Sequence, residues 1–173
     1  MHTTLEGIVV GRHTFTVTHV EYSTDADFDG VIAKFEAATG DIEDGGFARE
    51  LAASSDAADF EARMKAHEGD SGFMRFLMLD HGAWLTFNGQ PAKCRLYTMG
   101  NPLIARTMLK YDIEVGLNVP VRLIIYEATD GSTRFAYDLP SSLMSRLENK
   151  EVAAAAAKLD VKLAALAERV TGA

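Results

Sequence analysis

The sequence predicts an α+β domain: a mainly antiparallel, curved sheet of about five strands, with helices packed on it and a long C-terminal helix. Three observations predict it. Runs rich in β-branched and aromatic residues occur at 13–22, 73–87, 92–99 and 119–140. Turn signals join the later runs in pairs, as hairpins require. The helical patterns do not alternate one for one with strands, which argues against a doubly wound parallel sheet.

The elements follow in order. "HTFTVTHVEY" (13–22) reads as the first strand. In the next stretch Ser23 or Thr24 can cap a helix, with Asp25 and Asp27 near its positive end. Phe28, Val31, Ile32 and Phe35 share one face at i, i+3, i+4, i+7, and Gly40 ends the helix. Residues 41–72 are acidic and Ala-rich; they read as an insertion of two short helices anchored by Phe47, Leu51, Phe60 and Met64. The whole of 1–173 is read as a single domain carrying that insertion.

"FMRFLMLDHGAWLTF" (73–87) is apolar on both alternating faces, with Phe73, Leu77 and Leu79 on one and Met74, Phe76 and Met78 on the other. Such a pattern suits a central strand covered on both sides. "NGQP" (88–91) is a turn and "AKCRLYTM" (92–99) the returning strand. Leu103, Ile104, Met108 and Tyr111 give a short helix an apolar face. Residues 119–140 form a second hairpin with Asp130-Gly131 at its turn; Val121, Leu123 and Ile125 face one way and Arg122, Ile124 and Tyr126 the other. In the last helix, capped by Asn149 and stopped at Gly172, Val152, Ala156, Leu159, Leu163, Leu166 and Val170 form one stripe. That stripe either packs across the sheet or forms a dimer seam.

Composition narrows the function. The chain has 173 residues, a net charge of −8 and one cysteine, Cys94. The acidic balance argues against a broad nucleic-acid or anionic-membrane surface. A lone thiol fits a reducing compartment. No signal-peptide pattern opens the sequence, and no apolar run approaches the ~20 residues of a membrane span. A cytoplasmic, soluble protein is expected.

The ordered set Asp80-His81, Gly100-Asn101-Pro102, Pro120, Asp130-Gly131, Tyr137-Asp138 and Pro140, within about residues 73–146, resembles the domain of unknown function 302 family. The resemblance implies a small bacterial α+β domain with a curved antiparallel sheet, and a dimer. It implies no known activity.

Candidate chemistry is sparse. In Gly100-Asn101-Pro102, Asn is a strong N-cap and Pro is favoured at the first helical position. The triplet is a strand-to-helix turn whose free N–H groups can also hold an anion. His81 ends a strand on the face of Leu77 and Leu79, where a core histidine and a general base are both open readings. Tyr97, Tyr126 and Tyr137 lie on three neighbouring strands; with Arg122 they can line one wall of a concave sheet. His2, His13, His19, His67 and His81 show no metal-ligand spacing, so no metal or other cofactor is expected. Cys94 reads as an apolar filler, and Ser141 and Ser142 as the start of a helix.

The expected function is a small homodimeric binding module holding an apolar or anionic ligand between sheet and helix. Its candidate residues are His81, Tyr97, Gly100, Asn101, Arg122, Tyr126 and Tyr137. The first alternative is a homodimeric assembly protein without a small-molecule site. The second is an acid/base enzyme using His81, with Asn101 holding an oxyanion.

Overall fold

In the computed structural model, residues 2–5 and 8–173 are described, with side chains from residue 10 onward. The chain runs β1 (His2–Leu5), β2 (Ile8–Gly11), β3 (His19–Thr24), α1 (Phe28–Ala38), β4 (Gly40–Asp41), α2 (Gly46–Ala53), α3 (Ala57–Ala66) and β5 (Met74–Asp80). It continues as α4 (His81–Leu85), β6 (Cys94–Gly100), α5 (Pro102–Leu109), β7 (Val121–Glu127), β8 (Thr133–Asp138), α6 (Pro140–Leu143) and α7 (Lys150–Thr171). Six strands form one sheet in the order β3-β8-β7-β6-β5-β4, while β1 and β2 make a separate hairpin. Every neighbour pair in the large sheet is antiparallel except β4 with β5. The class is therefore α+β as expected, with one more strand than the sequence suggests.

The inner face of the sheet carries the main core. Val121, Leu123 and Ile125 alternate inward, as the pattern predicts, and meet Tyr97, Met99, Phe135 and Tyr137 from β6 and β8. Phe28, Val31, Ile32 and Phe35 of α1 cover them. All six stripe residues of α7 are buried in the same core, so the stripe packs within the chain. Phe35 sits at the centre, its ring 4.7 Å from Tyr97 and 6.0 Å from Phe135. Burying an aromatic side chain of this kind stabilises by about 1.5–3 kcal/mol.

A second, smaller cluster lies across the sheet. Met74 points away from Phe73 and packs with Ile42 and Met64, beside Phe47, Phe60, Phe76 and Leu103. The acidic segment does form two helices, but Leu51 is 54% exposed and anchors nothing. Arg75 ties this end to α1. One of its nitrogens donates to the carbonyls of Glu36 and Thr39 and to the Thr39 hydroxyl, and its guanidinium lies 3.3 Å from Asp41 and 3.4 Å from Glu43. Burial nevertheless holds the Glu43 carboxyl above its ordinary value.

Four local expectations need correction. The first long strand covers 19–24 rather than 13–22, because its partner β8 offers only six residues, Thr133 to Asp138, to pair with. Without a partner, β-propensity alone does not make residues 13–18 a strand. The cap of α1 is Asp27, which accepts from Gly30 N, while Thr24 accepts from Ala26 N. Gly40 begins β4 after α1 closes at Thr39.

The strand expected over 73–87 stops at Asp80, whose carboxylate accepts from Ala83 N and starts α4. Gly82 fits there because a Cβ would lie 2.2 Å from the Ala92 carbonyl oxygen. A register shift between Arg75 and Leu77 also breaks the alternation. Phe73 and Met78 belong to the main core, while Leu77 and Leu79 lie on the opposite face and are 44% and 43% exposed. The expected cover on both sides of this strand is supplied by α2 and α3 only at Met74 and Phe76, and not at Leu77 and Leu79.

Candidate functional site

Gly100-Asn101-Pro102 forms where β6 ends and α5 begins. Asn101 Oδ1 accepts from Leu103 N at 2.8 Å, and Pro102 opens the helix without an N–H to satisfy. Asn101 is 7% exposed, and its amide donates to Glu68 Oε1 at 2.7 Å and to the Gly72 carbonyl at 2.9 Å. Ile104 N and Ala105 N both donate to the Asn101 carbonyl. The first turn therefore has no free N–H for an anion, which corrects the anion reading of this cap. The asparagine is a strut between α5 and the 68–72 loop.

Beside that strut lies a concavity of about 330 Å³. Phe47 and Phe76 form one wall, Ala105 and Leu109 of α5 another, and Gly100 with Pro120 the floor. The walls are almost wholly apolar. The long-range pairing Met99↔Val121 sets β6 against β7, and it brings Pro120 within 3.7 Å of where a Gly100 Cβ would stand. On the opposite side of α5 a second groove, about 420 Å³, is lined by Leu103, Ile104, Glu68, Lys158 and Lys162, with Asn101 between the two.

The other candidate residues are scattered. Tyr97 is fully buried in the main core under α1, and its hydroxyl donates to Glu36 Oε1 at 2.7 Å. Burial, then the bond to Glu36, pushes its phenol well above the ordinary range. Burial likewise raises Tyr137, helped by Tyr22. Tyr97 and Tyr137 both pair with Leu123 and share the inner face, whereas Tyr126 pairs with Cys94 and Arg134 on the outer one. The three tyrosines do not line one wall. Tyr126 donates to Glu21 Oε2 at 2.7 Å, and this bond, with a smaller effect of burial, raises its phenol. Arg122 is exposed on the outer face beside a small hollow of about 60 Å³ with Asn118 and Asp138.

His81 does not end a strand. It is the first residue of α4, and its Nδ1 accepts from Trp84 Nε1 at 3.1 Å. His81 follows β5 after Asp80, while Asn101 follows β6 after Gly100, which pairs with Met74 at the start of β5. Six residues of strand span about 20 Å. The two side chains cannot converge on one substrate, so the paired acid/base and oxyanion arrangement is not formed. Cys94 is half-buried, and burial, then Asp80, raises its thiol, the reverse of an activated nucleophile. Among the described residues no group of three His, Cys, Asp or Glu side chains could hold a metal ion. No helix among them is long and apolar enough to cross a membrane.

Of the seven candidates, only Gly100 and Asn101 border the apolar concavity. Phe47, Phe76, Ala105 and Pro120 carry its walls, and no local motif marks them. Phe47 was readable only as an anchor and Pro120 only as the opening of a strand.

Comparison with known proteins adds the lineage. The description "Domain of unknown function DUF302" matches residues 49–170, a span that takes in α3 and nearly all of α7. A crystal structure of an uncharacterized conserved protein DUF302 from Bacillus stearothermophilus superposes with a TM-score of 0.63 at 18% identity. The superposition covers 88% of this chain and 97% of that one. At that identity the likeness carries the fold alone. No curated protein matches the chain.

Proposed function

The chain belongs to the DUF302 family, and within that family of unassigned role we propose that it is a binding module for a small apolar ligand held beside α5. The observation that carries this reading is the concavity of about 330 Å³ walled by Phe47, Phe76, Ala105, Leu109 and Pro120. Its size falls within the ~300–1,000 Å³ of small-molecule sites, which are mostly apolar. An apolar ligand fits better than an anionic one, because the Asn101 amide and the first N–H groups of α5 are already bonded. A single cysteine fits action in the reducing cytoplasm.

The test is titration with the neutral naphthalene dye prodan, read by its emission shift. Saturable binding at one site per chain, weakened at least ~10-fold by Ala105→Trp, is the expected result, since an indole would fill the space a ligand needs. Binding that Ala105→Trp leaves unchanged would sink the reading. Replacing Leu77 and Leu79, which lie outside the concavity, leaves prodan binding intact if the site is the one described.

A further inference from the structure

The groove on the far side of α5 differs in chemistry from the apolar concavity. It holds about 420 Å³ between α5 and α7. Its floor is apolar, built from Leu103 and Ile104 of α5 and from Ala155 and Leu159 of α7. Its rim carries Lys158 and Lys162, one helical turn apart on α7. Like charges four residues apart weaken a helix. Among the described residues neither lysine makes an ion pair that would relieve this, whereas Lys65 and Lys93 bond carboxylates at 2.7 and 2.9 Å.

The acids of α7 stay out of this groove. Glu151, Asp160 and Glu168 line neither it nor the smaller hollow beside it, where Arg169 lies 3.3 Å from Asp70. Asp160 accepts from Ser141 N instead. Lys162 is held toward the groove's end. Its Nζ stands 5.5 Å from the centre of the Phe73 ring, a cation–π contact, and a Cβ on Gly72 would lie 3.0 Å from it. Glu68 is the one acid in the lining, and one of its oxygens already accepts from the Asn101 amide. Two ammonium groups against one carboxylate leave the lining positive on a chain whose net charge is −8.

We propose that this groove is a second binding site, for a small monocarboxylate with an apolar chain. The carboxylate sits between Lys158 and Lys162, and the chain lies along Leu103, Ile104 and Leu159. Each ammonium supplies a charge-assisted hydrogen bond, and the two carboxylate oxygens match the two donors. The single excess positive charge of the lining suits a single negative one. A polyanion such as a nucleotide would meet the Glu68 carboxylate and the field of an acidic chain. An uncharged apolar molecule would leave both ammonium groups without a counter-charge. The site does not rest on the apolar concavity, because α5 separates the two: Ala105 and Leu109 face the concavity, and Leu103, Ile104 and Thr107 face the groove.

Titration with sodium hexanoate, followed by the backbone amide shifts in two-dimensional NMR and matched in sodium chloride, tests the proposal. Hexanol, which carries the same chain without the charge, is the control. Hexanoate is expected to shift the amides of α5 and α7 that border the groove, to saturate, and to bind more weakly as salt is raised. Lys158→Gln with Lys162→Gln is expected to weaken it at least ~10-fold. Both lysines are exposed and Gln is about as good a helix former, so this variant keeps the fold. Thr107→Trp, also at an exposed position, obstructs the groove without changing its charge and is expected to weaken hexanoate too. Both variants leave prodan binding intact, and Ala105→Trp leaves hexanoate binding intact, so this site and the concavity fail separately. No saturation up to ~10 mM hexanoate overturns the proposal, as does hexanol binding as tightly, or hexanoate binding that both groove variants spare. Hexanoate binding lost in Ala105→Trp but kept in the lysine variant would place the acid in the first concavity and overturn it equally.

Discussion

The two faces of the central sheet are built from similar residues and meet different fates. The inner face sets Tyr97, Leu123, Ile125 and Phe135 under α1 and α7, and all four are nearly or wholly inaccessible. The outer face sets Leu79, Leu96 and Ile124 at the alternate positions of the neighbouring strands and is left half open. Composition does not separate them. What separates them is where the connections run: α1 and α7 return across one side, while α2 and α3 cross the other only as far as Met74 and Phe76. Apolar alternation alone therefore does not decide whether a face is covered; the course of the connections does.

Substitutions can break or sharpen that contrast. The largest effect is expected on the inner face: Phe35→Ala removes a fully buried ring touching Tyr97 and Phe135 and should cost about 3–5 kcal/mol in urea unfolding. Leu79→Ala on the outer face should cost under ~1 kcal/mol. Equal costs would mean that the outer face is as closed as the inner one in a single chain.

Between these lies Asn101→Ala, which removes the cap of α5 and leaves Glu68 and the Gly72 carbonyl without the amide. A loss of about 1–2 kcal/mol is expected, with weaker prodan binding because the wall of the concavity shifts. Retained stability together with lost dye binding would instead make Asn101 a ligand contact. Tyr97→Phe, which deletes only the hydroxyl bond to half-exposed Glu36, should cost about 1 kcal/mol.

The smallest effect concerns the partial cover of the outer side. Glu61 joins α3 to α5 by accepting from Lys65 and Arg106, each at 2.7 Å. Those bonds, Lys65 first, lower its carboxyl from 4.5 to about 2. A depressed folded-state value means stability that is present above pH 4.5 and lost as the pH falls toward 2. Glu61→Gln should flatten that part of the acid-unfolding curve and leave neutral-pH stability little changed. An unchanged acid limb would show that the α3–α5 tie contributes nothing to holding the segment.

Much of this was legible in the residues. The α7 stripe, the Asn149 cap, the Gly172 stop, the Asp130-Gly131 turn and the Asn101-Pro102 helix start all depend on interactions within a few positions, and each stands where the pattern puts it. Errors arose where a distant partner decided. The first strand shifted to match β8, and the register break at Phe76 reversed the faces of Leu77 and Leu79. His81 entered a helix because the Asp80 carboxylate had a cap to make. The candidate site suffered most, since Tyr97 and Tyr126 are separated by the pleat and His81 and Asn101 by the length of a strand.

The sequence by itself determined the class of the fold, the start of α5, both ends of α7 and the family resemblance, because capping, turn conformation and amphipathic spacing act over a few residues. Only the tertiary structure decided that Phe47, Phe76, Ala105 and Pro120 enclose a concavity and that Leu77, Leu79, Leu96 and Ile124 lie half open on the outer face of the sheet. Both features depend on which strands pair and on which side each connection crosses. Those choices are settled by the packing of residues far apart in the chain, which no local pattern encodes.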